Sequence, residues 1–146
     1  MTKASLIKKE IKEKLLALKN AGTLGEVIID DFKKGLLERD FGAFPTAILT
    51  TPSIGGDYFT NTQNLRTYTF EVLIVMKGED ISAENDVEEL SETILNAFDN
   101  LPTLSGEADG GLEPSSTPAE AVPSRSGTYI VFSIILKAKA VKDIDL

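Results

Sequence analysis

Apolar and polar positions alternate most plainly over residues 65–77, LRTYTFEVLIVMK. At period two, Tyr68, Phe70, Val72, Ile74 and Met76 share one wholly apolar face. Thr67, Thr69, Glu71, Leu73, Val75 and Lys77 share the other, which is polar at its ends and apolar at Leu73 and Val75. The first face predicts burial in a core. The second needs partial cover, which a chain this short could draw from another copy of itself. Residues 128–141 repeat the design. Ile130, Phe132, Ile134, Leu136, Ala138 and Ala140 line one side, and Tyr129, Val131, Ser133, Ile135, Lys137 and Lys139 the other. Two long strands of this kind suit the centre of an antiparallel sheet.

Helical spacing predicts two helices. Over 3–20, Ile7, Ile11, Leu15 and Leu18 form a stripe, with Lys8, Lys9, Lys12 and Lys19 gathered opposite. Leu16 points out among the lysines, either as an ordinary exposed leucine or as a partner contact. Asn20-Ala21-Gly22 supplies the stop. Over 85–100, Val87, Leu90, Ile94 and Phe98 form the buried stripe beneath Glu88, Glu89, Glu92 and Asp99. Asn85 with Glu88 makes a capping-box pattern, and Leu101-Pro102 ends the helix. Residues 26–30 suggest a short strand, and 43–51 a strand fenced by Pro45 and Pro52. Residues 31–41 are charged and irregular, with room for a helical turn.

Two stretches read as loops. Residues 53–64, SIGGDYFTNTQN, carry Gly55-Gly56 and many Asn and Thr, yet also Ile54, Tyr58 and Phe59. These three are candidates for an intermolecular contact or for packing on the domain's own surface. Residues 102–127 hold four of the six prolines and four of the eleven glycines, so they predict an irregular segment. The element order predicts one α+β domain over 1–146: an antiparallel sheet of about four strands with two main helices packed on one face, and long loops at 53–64 and 102–127.

Charge sharpens the picture. The formal net charge is −8, and its placement is uneven. Glu79, Asp80, Glu84, Asp86, Glu88, Glu89, Glu92 and Asp99 lie in a window without Lys or Arg. The remaining 15 acids balance the chain's 15 bases. In the first twenty residues, six lysines face only Glu10 and Glu13. The two helices thus share a plan, an apolar stripe below and one sign of charge above.

Chemistry is hard to find. With no cysteine and no histidine, disulfides, thiolate metal sites, the commonest general base and the commonest zinc ligand are all absent. Gly55-Gly56 and Gly110-Gly111 lack the spacing of a phosphate loop, and the acids at 79–86 lack an EF-hand pattern. Asp30, Asp31, Asp57 and Glu71 offer carboxylates, but nothing in the sequence pairs them. An overall acidic chain with few aromatics beside its lysines is a poor nucleic-acid binder. No signal peptide is expected, because Met1-Thr2-Lys3 leads straight into a charged helix, and the longest apolar run, Val72 to Met76, is far short of a membrane span. The expectation is a non-enzyme without metal or cofactor.

The run FPTAILTTPS, a Gly/Asn/Thr loop, NLRTYTFEVLIVM, the acidic helix ending AFDNLPTL and the closing alternating strand together resemble tail terminator and tail-completion (neck) proteins of long-tailed bacteriophages. The likeness runs over nearly the whole chain and lies in element order and soft motifs. It implies a virion protein, assembled in the host cytoplasm, that forms a homo-oligomeric ring, typically a hexamer, at the head-proximal end of the tail. There it would stop polymerisation of the tail tube protein and offer a surface to a head-closure or connector protein. DNA would pass through the acidic bore without specific binding. Assembly-interface candidates are Lys8, Lys9 and Lys12, then Ile54, Tyr58 and Phe59, then Glu88, Glu89 and Glu92. The alternatives are another phage neck component (head-closure or connector adaptor), a monomeric module that engages a host or phage partner through the Tyr58-Phe59 loop, a non-viral acidic protein-binding module, and an acidic DNA mimic.

Overall fold

The computed structural model describes residues 3–29, 42–50, 52–60, 63–78, 84–99, 112–124 and 127–143. In chain order these form α1 (Lys3–Asn20), β1 (Glu26–Ile29), β2 (Thr46–Leu49), β3 (Ser53–Thr60), β4 (Gln63–Lys77), α2 (Glu84–Asp99), β5 (Leu112–Ser116), β6 (Glu120–Ser124) and β7 (Gly127–Asp143). The expectations at 31–41 and for the acids at 79–80 lie outside the described residues, as does the Asn85 side chain.

The antiparallel sheet of about four strands is corrected by a single mixed sheet of seven, ordered β1-β2-β4-β7-β5, with β3 also beside β4 and β6 beside β7. β1 runs parallel to β2, with Glu26 opposite Thr46 and Ile29 opposite Leu49. A parallel neighbour needs a connection of a dozen residues or more, and β1 ends at Ile29 while β2 begins only at Thr46. At the centre, the 15 residues of β4 pair antiparallel with β7 along their whole length, from Gln63 opposite Asp143 to Lys77 opposite Tyr129.

Where the two expected loops are described they are largely strand; residues 61–62, 102–111 and 125–126 lie outside the described residues. Residues 53–60 form β3, which turns back onto β4, and 112–116 and 120–124 form β5 and β6 along β7. β2 and β3 act as one outer strand broken in the middle. From Leu49 to Ser53 it takes four steps while β4 takes three, from Val72 to Thr69. The same holds on the other side, where Ser116 to Glu120 spans four steps against three from Ile134 to Val131. One extra residue on each outer strand is the arithmetic of a β-bulge. A polar line crosses the sheet between the two breaks. The Thr50 N–H and hydroxyl both donate to the Glu71 carbonyl, at 3.2 and 3.1 Å. The Ser133 hydroxyl donates to the Glu71 carboxylate at 3.0 Å, and the Ser133 N–H to the Thr117 hydroxyl at 2.8 Å. The bonds to the Glu71 carbonyl and from the Ser133 N–H satisfy backbone groups at the breaks, while the Ser133–Glu71 bond links two side chains across the strands.

Both helices lie against one face of the sheet. Ile7, Ile11 and Leu15 of α1 and Ile94 and Phe98 of α2 are fully buried with Phe70, Val72, Ile74, Ile134 and Leu136 in one cluster. Each such side chain contributes ~1.5–3 kcal/mol relative to exposure. The opposite face has its own small cluster, Ile48, Val75 and Tyr129, packed with Phe44, Leu73 and Val131. The rings of Phe44 and Tyr129 lie 5.8 Å apart. Leu73 and Val75 therefore find cover within their own chain, so the second copy that could have supplied it is not needed there.

Two glycines make the α1 side possible. Gly22 has φ +86°, and the Gly22 and Thr23 N–H groups donate to the Lys19 and Leu18 carbonyls, a Schellman stop for α1. At Gly25 a Cβ would sit 2.8 Å from the Phe44 carbonyl oxygen, so only glycine lets the chain approach and donate to the Pro45 carbonyl.

Candidate functional site

The helices stand over opposite ends of the sheet. α1 packs beside β1, and α2 beside β5 and β7, so the strand order places them on opposite flanks. Because each helix buries its apolar stripe downward, each turns its charge outward on its own flank.

On the α1 flank, Lys8, Lys9 and Lys12 come together with Ser5 and Ile29 around a shallow groove of about 270 Å³. Ile29 ends β1 and is 39% exposed, an apolar floor beside three ammonium groups. Ser5, Lys9, Lys12 and Leu16 recur at helical spacing and are all exposed, forming one ridge along α1. Leu16 is its apolar member, 37% exposed.

On the α2 flank, Glu88 and Glu92 border a larger groove of about 630 Å³, whose floor includes Val87, Ser91 and Leu95. Its far wall is the bend between β5 and β6, residues 116–119. At the bend the Thr117 N–H donates to the Ser133 carbonyl at 2.9 Å and the Ser133 N–H to the Thr117 hydroxyl at 2.8 Å, and Pro118 and Ala119 follow as part of the groove wall. Composition alone reads 102–127 as loop and hides this wall; the pairing of β5 and β6 with β7 reveals it. Glu89 is exposed but does not border the groove, and its carbonyl accepts the Thr93 hydroxyl at 2.8 Å.

Among the described residues, Ile54 is the most exposed of the large apolar side chains, at 56%. It sits on β3 opposite Tyr68, beside Gly55 and Gly56, and borders neither groove. Tyr58 and Phe59 continue β3 as strand, and their side chains lie outside the described residues. The nine candidates thus divide into a basic cluster, an acidic pair with Glu89 apart from it, and a separate strand edge.

Ser5 and Lys8 have the Ser-x-x-Lys spacing of a serine nucleophile motif. The companion Ser-Asp-Asn and Lys-Thr-Gly motifs of acyl-transfer enzymes are absent from the chain. Among the described residues, no three acidic side chains gather as a metal cage, and no helix is long and apolar enough to cross a membrane. What the two grooves offer is charge of opposite sign, each beside apolar surface. The sequence matches no protein-family model and no curated protein.

Proposed function

We propose that this chain is the subunit of a homo-oligomeric ring, the terminator that caps the head-proximal end of a long-tailed bacteriophage's tail tube. It would stop tube growth and give the head-closure or connector protein its seat. The observation that carries this reading is the opposition of flanks: lysines over β1 at one end of the sheet order, glutamates beside β5 at the other. A subunit with complementary surfaces on opposite sides associates head to tail, and such contacts close into a ring when the rotation per subunit allows. The resemblance in FPTAILTTPS and NLRTYTFEVLIVM supplies the place of that ring in a virion. A DNA mimic would spread carboxylates across one surface, whereas Glu88 and Glu92 border a groove on one flank with lysines on the other.

Electron microscopy of particles made without this chain tests the reading. Overlong tails, or tails unjoined to heads, are the expected result. Normal virions would overturn it.

A further inference from the structure

We infer that the joint between neighbouring copies is a helix laid in a groove: the outer ridge of α1 from one copy occupies the groove between α2 and the β5–β6 bend of the next. This rests on the ring reading and names its contact. The ridge is Lys9, Lys12 and Leu16, all exposed and on one side of α1. The groove is bordered by Glu88 and Glu92 and floored in part by Val87 and Leu95.

Both chemistries match. Lys9 and Lys12 meet Glu88 and Glu92, while Leu16 settles against Val87 and Leu95 and gives up its exposed surface. At about 630 Å³ the groove is roomy enough to admit side chains of a partner helix, whereas the 270 Å³ hollow on the basic flank is less than half that size. A chain cannot fill its own groove with its own ridge, since α1 and α2 stand over opposite flanks. Two ridges repel each other as lysine against lysine, and two grooves as glutamate against glutamate. Two-fold pairings of like on like are therefore disfavoured, and pairing of ridge with groove remains; the single ridge-to-groove contact that propagates head to tail is the form that builds a ring.

Charge reversal tests the joint. Variant one carries Lys9→Glu and Lys12→Glu; variant two carries Glu88→Lys and Glu92→Lys. Each is compared with the wild type by light scattering, alone and on tail tubes, with the urea midpoint confirming that each folds. The expected result is a loss of association of about tenfold or more for each variant alone. An equimolar mixture should restore it, because acidic ridges then meet basic grooves and native ridges meet native grooves in alternation. If wild type and both folded variants assemble equally well, the joint is overturned while the ring stands. If both variants fold but the mixture fails to assemble, the pairing of these two surfaces is overturned. If the wild type assembles neither alone nor on tubes, the ring reading itself falls.

Discussion

The α1 flank and the α2 flank are built on the same sheet but finished differently. α1 ends in a tight glycine turn and presents a ridge over a four-residue parallel strand. α2 leans on β5 and the bend after it, and leaves a groove open. Each helix is equally committed below, with fully buried Ile7, Ile11 and Leu15 on one side and Ile94 and Phe98 on the other. The difference lies wholly in what each shows outward, in sign and in shape. A domain stable in its centre and asymmetric at its flanks is suited to chain-like association, because joining copies does not require repacking the core.

The comparison can be broken from the inside first. Phe98→Ala should destabilise the fold by about 3–5 kcal/mol and Ile11→Ala by about 2–5 kcal/mol in urea unfolding. Comparable losses support equal anchoring; a loss below about 1 kcal/mol for Ile11→Ala would mean that α1 is loosely held and its ridge is not a fixed surface. The line across the sheet comes next. Glu71→Ala removes the acceptor of the Ser133 hydroxyl and should cost about 1–3 kcal/mol, and a double-mutant cycle with Ser133→Ala should reveal coupling between the two. Gly22→Ala forces a side chain into φ +86° at the end of α1 and should cost about 1–2 kcal/mol. Smallest in folding, and sharpest for the comparison, is Leu16→Ser. It should change the unfolding midpoint by no more than about 0.5 kcal/mol in stability while still weakening association.

Much of this architecture is legible in the residues. The helices at 3–20 and 85–100 are found as Lys3–Asn20 and Glu84–Asp99, and the strands at 65–77 and 128–141 as Gln63–Lys77 and Gly127–Asp143. All four carry strong periodic patterns. β3, β5 and β6 escape because SIGGDYFT, LEPSS and EAVPS carry Gly, Pro and Ser where strands usually carry branched residues. Their conformation is imposed by the long strands beside them, and the described part of β3 buries little, with residues 53–56 all exposed. The parallel pairing of β1 is unreadable from period two, which encodes a face but no direction. Lys8, Lys9, Lys12, Glu88 and Glu92 are visible as charged helix faces, yet their opposition depends on strand order. The bend at 116–119, lacking any pattern of its own, is visible only through Thr117 and Ser133.

The most direct measurement uses the absence of cysteine from the chain. Leu16→Cys marks the ridge and Leu95→Cys the groove, and a short bis-maleimide links thiols that come into contact. Head-to-tail joining predicts little linkage in either single variant, a dimer and nothing larger from their mixture, and a ladder ending in one closed species from the chain that carries both. Efficient dimers of the Leu16→Cys chain by itself, or no linkage in the mixture under conditions where the wild type assembles, would contradict it.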